Sequence, residues 1–459
     1  MVRDGRLWLA GAATVGLLLV SLAFGWQQAR AVHQERAAAS ETARDQWEAQ
    51  GEKNPHMAGH YGMYVFKPGG ALSFVDPGLE PFLGVSVKLE AHKRNPPGHA
   101  AAQDRTALQQ LGGLSVAGVL QLLVPLLILG LGFGAWTAER ERGTLRQLAA
   151  SGVRPSALLL GKVLGLLSVL AALLVPAVAL GAAVVALLGG GAVDAGRLAL
   201  LLAAYLVYFG VYVAVALVVS ALAPSSRLAL VGLLGFWVGT AVVAPRVVAG
   251  VVDAAAPVPS AEELTRDLRK SLAEGLAGVP REERIEALSK ELLRQHGFEG
   301  AEMMMPEALL QGLELQAEAR FEAEVLDHHY GLLDQASERQ ERLLQWLAVA
   351  SPTLAVRSLS MALAGTDHAH HRHFSGAAEA HRRTLLQMLD DEFATNAGDA
   401  GWDYTVGAEF WARAPAFVYA QPGAPWALEQ QQVAGPVLLG WLVLGSLAAW
   451  GAARRLQVV

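Results

Sequence analysis

The stretch ERERGTLRQLAASGVRPSALLLGK, residues 139–162, is a charged island between two long apolar runs. Crossing a bilayer takes about 20 consecutive apolar residues, and each flanking run reaches that length. The island is therefore predicted to be a short loop at the membrane surface. It holds more Arg than Glu, and Lys162 follows near the start of the next apolar run. Because short loops rich in Lys and Arg stay in the cytoplasm, we expect this loop on the cytoplasmic side.

The middle of the island has the spacing of a short amphipathic helix over residues 144–150. In such a helix Leu145 and Leu148 lie on one face, while Arg146 and Gln147 point away from it. Acidic residues just before the helix and a Gly just after it favour these boundaries. A helix of this kind suits docking into a groove of another protein.

Composition indicates a protein with both membrane and water-exposed parts. The chain has 459 residues, of which 53% are hydrophobic, and its mean hydropathy is +0.33. A chain of this composition is too apolar to be one soluble domain and too polar to be a bundle of membrane helices alone. A net charge of −6 and the lack of a basic block exclude an electrostatic case for binding nucleic acid. Cysteine is absent, which excludes a disulfide framework, thiol catalysis and cysteine-based metal sites.

Six apolar runs predict a membrane α-helical fold with six transmembrane helices, M1 to M6, and both termini in the cytoplasm. The fold also includes a small mixed α/β outer module and a large, mostly helical outer domain. Arg3 and Arg6 precede the first run, and no small-residue cleavage site follows it, so we expect a retained helix and not a signal peptide. Arg454 and Arg455 place the C-terminus inside. The predicted order is M1 1–26, first periplasmic module 27–111, M2 112–136, cytoplasmic coupling helix 137–155, M3 156–190, M4 197–222, M5 228–252, second periplasmic, mainly helical domain 256–432, M6 433–453 and cytoplasmic tail 454–459.

Turn and cap signals predict the structure of the two outer parts. In the first module, short strands are expected at 64–66, 72–75 and 85–89, between turns marked by Pro, Gly, Asn and Asp. In the second domain a capping box at 260–263 begins a helix. A helix of about 45 residues is expected to begin at Pro306, with a further helix over 379–394.

The island also carries a family resemblance. Its order E-x-E-x-G-T-L, followed by a Gly-x-x-Pro turn and then Gly-Lys at the head of the next membrane helix, resembles the permease subunits of ABC-2 type exporters. The outer segments are similar to those of the branch of this family that has large periplasmic domains of undefined function. The matching positions in the island are Glu139, Glu141, Gly143, Thr144, Leu145, Gly161 and Lys162.

The resemblance implies a role for the island and a set of partners. In that family the segment is the coupling helix, which the ATPase subunit grips. The implied partners are a dimer of ABC ATPase subunits, a second permease copy or paralogue, the lipid bilayer and, given the outer domains, a periplasmic partner. The implied location is the bacterial inner (cytoplasmic) membrane. The implied coupling residues are Glu139, Arg140, Glu141, Arg142, Gly143, Thr144, Leu145 and Leu148.

ATP hydrolysis itself is expected to lie on another chain. The phosphate-binding pattern G-x-x-x-x-G-K-[ST] is missing from the sequence. Gly161 and Lys162 are followed by Val163, and Ser156 stands where the first Gly should be. We therefore expect a non-catalytic subunit with no cofactor in this chain, and ATP and Mg²⁺ bound by the partner ATPase.

Two sets of membrane residues are candidates for a cargo path. Tyr205, Tyr208 and Tyr212 share one face of M4, and they either line such a path or hydrogen-bond neighbouring helices. Arg246, expected with Pro245 at the outer end of M5, either reaches the membrane interface or faces the cargo.

The segment from His368 to His373 resembles a metal site. Imidazoles bind zinc and copper, and His368, His370, His371 and His373 lie close together in sequence. Clusters of this kind on loops are more often solvated and pH-sensitive, which is the use that we expect here.

The sequence therefore predicts a permease subunit of an ATP-driven ABC-2 type exporter, which moves cargo out of the cytoplasm or the inner membrane. The alternative is a membrane-anchored scaffold for periplasmic maturation or for the delivery of a metal or cofactor. The second function would use the His cluster and the long helix, with the membrane part as an anchor.

Overall fold

Within the part of the chain that the structure describes, six helices are long and apolar enough to cross a membrane, which confirms the predicted membrane α-helical fold. The computed structural model describes residues 5–103, 115–187, 192–295, 297–298 and 307–456. The last residues of the predicted first module, of M3 and of the C-terminal tail lie outside these ranges. The six candidate spans are Leu9–Glu48, Val116–Glu141, Pro155–Leu187, Asp194–Leu222, Ser226–Ala255 and Ala434–Arg454.

The elements follow one another along the chain with few long connections. M1 is α1, M2 contains α3 and α4, M3 is α7, M4 is α8, M5 contains α9 and α10, and M6 is α18. The described helices are α1 (Gly5–Glu48), α2 (Pro55–Tyr61), α3 (Val116–Gly118), α4 (Val124–Gly132), α5 (Thr137–Glu141), α6 (Thr144–Ala150), α7 (Pro155–Leu187), α8 (Ala192–Leu222), α9 (Ser226–Trp237), α10 (Ala244–Ala255), α11 (Ala261–Glu274), α12 (Arg281–Gln295), α13 (Glu307–Leu347), α14 (Pro352–Ala364), α15 (His368–Asn396), α16 (Ala408–Trp411), α17 (Ala424–Glu429) and α18 (Ala434–Arg454). The strands are β1 (Met63–Phe66), β2 (Ser86–Glu90), β3 (Lys93–Arg94), β4 (Gly275–Leu276) and β5 (Val279–Pro280).

M1 is much longer than a bilayer requires. α1 has 44 residues, which at about 1.5 Å per residue makes it roughly 66 Å long, against a hydrocarbon core of about 30 Å. Its C-terminal part therefore extends beyond the membrane. There Trp47 is buried against Trp411 of α16, with the ring centres 5.7 Å apart. α1 thus connects the membrane bundle directly to the segments that were predicted to lie outside it. We call the predicted segments 27–111 and 256–432 the first and second outer parts, and together the outer region.

Two membrane helices contain a π-helical segment just before a proline. In M2 the segment Val119–Leu123 precedes Pro125, and in M5 the segment Val238–Val243 precedes Pro245. Proline has no N–H and its ring clashes with the preceding turn, and a wider turn accommodates both effects. The expectation that Pro245 marks the outer end of M5 is therefore wrong, because the helix continues to Ala255.

The first outer part is a small antiparallel sheet with one short helix. The strand order is β1-β2-β3, with Met63 opposite Leu89. Two of the three predicted strands are present, whereas residues 72–75 form turns. The backbone N of Val75 bonds to the carbonyl of Leu72 at 3.0 Å, within the same turn. A strand was predicted at 72–75, but the N–H groups of Ser73 and Val75 bond within the turn, and the carbonyl of Val75 accepts from Ala117 N of M2 at 2.8 Å. These bonds do not join a neighbouring strand.

The second outer part is mainly helical, as predicted. The capping box is present, since Ser260 Oγ accepts from Glu263 N at 3.2 Å and Glu263 Oε2 accepts from Ser260 N at 2.8 Å. α13 has 41 residues, close to the length expected from its apolar stripe. α15 begins at His368 and is longer than the helix predicted over 379–394.

α14 lies inside the membrane bundle, although its sequence belongs to the second outer part. Eleven of its thirteen residues are buried. Leu354, Val356, Leu359 and Leu363 belong to the same hydrophobic core as the membrane helices M1 to M6. The outer region and the bundle therefore share a core, and the predicted division into separate domains does not describe α14.

Replacing Trp411 by Ala should lower the free energy of unfolding by about 3–5 kcal/mol, as for other large buried aromatic residues. The variant loses a fully buried ring and the bond from Trp411 Nε1 to the carbonyl of Gly51 at 2.7 Å. Thermal unfolding of the detergent-solubilised protein measures the effect. Trp346→Ala is the control, because Trp346 is 64% exposed on α13 and its loss should change the melting temperature little. Equal shifts for both variants would contradict the packing of α16 on α1.

Candidate functional site

The coupling segment, residues 137–155, consists of two short helices joined by a sharp turn. α5 ends at Glu141, Gly143 takes the left-handed backbone conformation at φ 75°, and α6 begins at Thr144. Side chains are rarely tolerated at that φ, so Gly143 sets the angle between the two helices. Gly152 has a φ of 77° after α6, and α7 begins at Pro155. The chain therefore turns twice where one coupling helix was predicted.

α6 has the two faces that its spacing predicts, but the apolar face points to the chain's own bundle. Leu145 is 4% exposed and belongs to the core of the membrane helices. Leu148 is half-buried, whereas Arg146 and Gln147 are exposed. The amphipathic pattern had suggested that Leu145 faces a partner. Instead, Leu145 anchors α6 to the chain's own bundle. The polar face of α6 is the part that another protein can reach.

Three consecutive charged residues tie the segment to the neighbouring membrane helices, and we call Glu139, Arg140 and Glu141 the anchor triplet. Glu139 Oε1 accepts a hydrogen bond from Lys162 Nζ of α7 at 2.6 Å. The same ammonium donates to the carbonyl of Ala135 at 2.6 Å. Hydrogen bonds between charged groups are about twice as strong as neutral ones, so this contact holds M2 against M3.

The other two members of the anchor triplet bind the facing ends of M4 and M5. Arg140 donates to the carbonyls of Ala221 and Ala223, both at 2.8 Å, where α8 ends. Glu141 accepts from the backbone N of Ser226 at 2.7 Å and from its Oγ at 2.9 Å, where α9 begins. Helix ends leave such carbonyls and N–H groups without helical partners. A cation at a C-terminus and an anion at an N-terminus also match the helix dipoles.

Sequence reasoning assigned the anchor triplet to contact with an ATPase and missed these internal partners. The signal was present in residues 223–227, where the turn Ala-Pro-Ser-Ser-Arg marks a helix start that an acidic side chain can cap. Arg142 and Thr144 remain exposed. A coupling role for residues 139–148 stays a prediction, with the contact surface shifted to the exposed side chains.

A row of buried tyrosines connects M4 to M2 and M5. Tyr205, Tyr208 and Tyr212 are each at most 3% exposed. Tyr208 OH donates to the carbonyl of Gln121 at 2.7 Å, and Gln121 Nε2 donates to Tyr205 OH at 3.1 Å. Tyr212 OH lies 3.2 Å from Thr240 Oγ1. Gln121 and Thr240 both lie in the π-helical segments of their helices.

The same hydroxyls hold α14 inside the bundle. Tyr208 OH and Tyr212 OH lie 3.0 and 3.1 Å from Thr353 Oγ1. Tyr205 OH lies 3.0 Å from Ser360 Oγ. Of the two alternatives left open by the sequence, this geometry supports hydrogen bonding between helices. A cargo path along the tyrosines stays a prediction, and in such a path their hydroxyls would already have protein partners.

Arg246 does not join the tyrosine network. It is exposed on α10, and its Nη1 donates to the carbonyl of Val242 at 3.0 Å, one turn earlier in the same helix. This position leaves both alternatives for Arg246, interface or cargo, as predictions.

The four clustered histidines lie in the first turns of α15, so the expectation of a loop is wrong. Gly365 ends α14 with a φ of 75°. Asp367 then caps α15, since its Oδ1 accepts from the backbone N of His370 at 3.0 Å. The sequence Gly-Thr-Asp at 365–367 is a helix stop followed by an N-cap, and it could have indicated the helix start.

His368 and His373 of this cluster have hydrogen-bonding partners on different elements. His368 Nδ1 lies 2.9 Å from Glu341 Oε1, and His373 Nδ1 lies 3.2 Å from Tyr419 OH. The ring of His371 stacks on that of His368, with 6.0 Å between the ring centres. The hydrogen bonds of His368 and His373 lead to different elements, which favours a structural use of the cluster.

His370 belongs to a buried polar chain that sequence reasoning missed. Its Nδ1 lies 2.5 Å from Asp367 Oδ1, and its Nε2 lies 3.1 Å from Arg197 Nη2. Arg197 also donates to the carbonyl of Leu363 at 3.2 Å and to that of Pro422. An arginine is costly inside an apolar helix unless it is paired, so Arg197 near the start of M4 was the available signal.

Burial and charge control the protonation of Asp367 and His371, where α14 ends and α15 begins. Burial alone would raise the pKa of the Asp367 carboxyl, but the hydrogen bonds and charge of His370 outweigh it, and the pKa is lowered. Burial, together with the positive charges of Lys67, His368 and Arg372, lowers the pKa of His371 to about 4. His371 is therefore neutral at pH 7.

Comparisons with known proteins agree with a multi-pass membrane protein. Residues 92–257 match the family model described as ABC-2 family transporter protein. Residues 261–420 match the model described as a domain of unknown function (DUF3526). The first match contains the coupling segment and M2 to M5, and the second contains α14 and α15. Comparisons with curated proteins and with solved structures gave no match. The resemblance to ABC-2 permeases, inferred from the island at 139–162, is confirmed.

His371→Gln should lose less stability in acid than the unaltered protein. The folded-state pKa of about 4 lies below the ordinary 6.5, so in this range the unfolded chain binds more protons. Stability is then fully present above about pH 6.5 and falls as the pH drops toward 4, by at most about 3 kcal/mol for this group. Melting temperatures of the detergent-solubilised protein between about pH 7 and pH 4.5 measure the difference.

The matched control is His328→Gln, which removes an exposed imidazole of α13. It should alter the pH dependence much less than His371→Gln does, because its side chain is exposed to solvent. If His371→Gln loses as much stability in acid as this control, His371 does not contribute to acid sensitivity.

Proposed function

Because the chain carries the membrane domain of an ABC-2 family transporter protein, we propose that it is the permease subunit of an ATP-driven exporter. The observation that carries this proposal is the coupling segment, whose exposed polar helix α6 is tied by the anchor triplet to three other membrane helices. Such an arrangement suits a part that receives force from another protein. In this proposal the cargo leaves the cytoplasm or the inner membrane.

The topology supports a cytoplasmic position for the coupling segment. It connects M2 to M3, and the turn that it contacts through Arg140 and Glu141 connects M4 to M5. Two crossings separate these connections, so they share one side of the membrane. The outer parts precede M2 and M6 and lie on the other side. The positive charge of the coupling segment favours the cytoplasm for its side, which leaves the periplasm for the outer parts.

The anchor triplet gives the proposal a mechanism. Closure of two ATPase subunits around ATP would push on the exposed face of α6. Because Glu139 holds α7, Arg140 holds the end of α8 and Glu141 holds the start of α9, these helices would move with the segment. A rigid-body movement of this kind would convert the membrane helices between inward-open and outward-open arrangements.

The proposal assigns ATP and Mg²⁺ to the partner and not to this chain. The partners are a dimer of ABC ATPase subunits and a second permease, either a copy of this chain or a paralogue. The location is the bacterial inner membrane, with the two outer parts in the periplasm, where they can contact a periplasmic partner.

Purification of the chain from its native host in a mild detergent should recover a P-loop ATPase in stoichiometric amount, because the two subunits form one machine. Mass spectrometry of the purified complex identifies the ATPase and a second permease, if that is a paralogue. Recovery of periplasmic proteins without an ATPase would reject the exporter in favour of a membrane-anchored scaffold.

Arg146→Glu should weaken retention of the ATPase on the immobilised permease by about tenfold or more, since it reverses a charge on the proposed contact face. The fold should be unaffected because the side chain is exposed. Variants of the anchor triplet are less informative, because they also remove helix caps. The control is Arg269→Glu, at an exposed position on the outer helix α11. Equal retention by Arg146→Glu and the unaltered chain would exclude this face from coupling.

A further inference from the structure

Three histidines of the first outer part meet at one point, although they are far apart in the sequence. His56 and His60 are four residues apart on α2 and therefore share one face of that helix. His92 lies in the turn between β2 and β3. One ligand nitrogen from each of the three rings lies within 4.8 Å of the others. The ring centres are 4.8 to 5.5 Å apart.

The local backbone structure sets the positions of these three rings. Asn54 caps α2, since its Oδ1 accepts from the backbone N of Met57 at 3.2 Å, and Pro55 occupies the first turn. His92 has a φ of 63°, in the left-handed region that residues other than Gly seldom adopt, although His, Asn and Asp adopt it more often than most. Strained positions of this type are found more often at functional sites than elsewhere.

Two carboxylates from other helices orient two of the rings. His56 Nδ1 lies 3.3 Å from Asp390 Oδ1 of α15. His92 Nδ1 lies 3.0 Å from both oxygens of Glu322 on α13. Nδ1 is thus occupied in both rings, and Nε2 is left to bind a ligand. Metal-binding histidines usually donate their other N–H to a carboxylate in this manner.

The exposure of the three rings differs in a way that suits a site open on one side. The side chain of His56 is 11% exposed and that of His92 is 33% exposed, while His60 is exposed. A cavity of about 300 Å³ adjoins the rings and is lined in part by His56, His92, Glu322 and Asp390. Packing alone would explain the position of His56. It does not explain why the exposed ring of His60 lies close to the rings of His56 and His92.

We propose that His56, His60 and His92 bind one divalent transition-metal ion of the zinc class, with the adjoining cavity supplying room for water as the fourth ligand. Imidazole nitrogen is a preferred ligand of Zn²⁺, which binds three histidines and a water in many sites. Nitrogens around a tetrahedral zinc are about 3.3 Å apart, so small rotations of the side chains complete the site.

The site would connect the two outer parts of the protein. Its three ligands belong to α2 and the β2–β3 turn, whereas Asp390 and Glu322 belong to α15 and α13. Bound metal would thereby strengthen the contact between segments that are more than two hundred residues apart. This inference is independent of the proposed transport function, since it depends only on side chains of the outer parts.

The test uses the full-length chain in detergent, purified with an affinity tag that contains no histidine and treated with a chelator. Zn²⁺ alone is the probe, followed by calorimetric titration and by metal analysis after desalting. The unaltered chain should bind one Zn²⁺ with micromolar or tighter affinity. His60→Ala should weaken binding by about a hundredfold or more, because one of three protein ligands is lost. Glu322→Gln should weaken it by about 10- to 100-fold, as for other residues that orient metal ligands.

Two further variants keep the result interpretable. His373→Ala, in the separate cluster on α15, should bind Zn²⁺ as the unaltered chain does. His92→Asn removes a ligand while keeping a residue that tolerates the positive φ, so it separates metal loss from misfolding. The proposal is overturned if the unaltered chain takes up no Zn²⁺, if His60→Ala and His92→Asn bind as tightly as the unaltered chain, or if His373→Ala abolishes binding. None of these outcomes depends on whether an ATPase binds the chain.

Discussion

A hydroxyl buried inside a membrane bundle needs a hydrogen-bond partner, and in this protein that requirement holds the outer region to the membrane helices. The tyrosines of α8 find their partners on M2, on M5 and on α14, which packs against both α8 and α18 in the shared core. An unsatisfied buried hydroxyl costs about 1–3 kcal/mol. Removing the second outer part would remove α14 as well, and would leave Tyr205, Tyr208 and Tyr212 short of partners. The bundle and the outer region therefore depend on each other for their folding, although the hydropathy of the sequence divides the chain into membrane and outer segments.

α8 is the helix through which the two ends of the molecule are connected. At its C-terminal end Arg140 binds the last carbonyls, next to the coupling segment. Near its N-terminal end Arg197 binds His370 and the carbonyls of Leu363 and Pro422, at the junction of α14 and α15. Charged groups at both ends and hydroxyls between them fix the helix along its length. A displacement of the coupling segment would reach the outer parts through this helix, since packed cores move as rigid units and do not deform continuously.

The sequence predicted the elements that depend on local signals, and it missed those that depend on distant partners. Apolar length predicted six membrane helices, and the capping box at 260–263 predicted the start of α11. Residues 72–75 alternate like a strand, but a strand needs a neighbouring strand, and the described sheet pairs β1 with β2 and β2 with β3 without them. Pro245 predicted a helix end because the π-helical segment that accommodates it has no sequence signature. The partners of Glu141, Arg197 and His92 lie 85 to 230 residues away, and no periodicity indicates a pairing of that kind.

The contacts of the anchor triplet give the charged residues of the family motif a structural role within this chain. A motif that a partner grips would be expected to point its charged side chains outward. Here Glu139, Arg140 and Glu141 bind the chain's own helices, and Gly143 sets the angle at which α6 leaves them. The charged part of the motif therefore fixes the position of α6, while the surface of α6 is left free to vary with the partner that it meets. Under the proposed function, coupling would depend on a rigid connection behind the contact as much as on the contact itself. A charge reversal within the triplet would break that connection even if every exposed residue of α6 stayed in place.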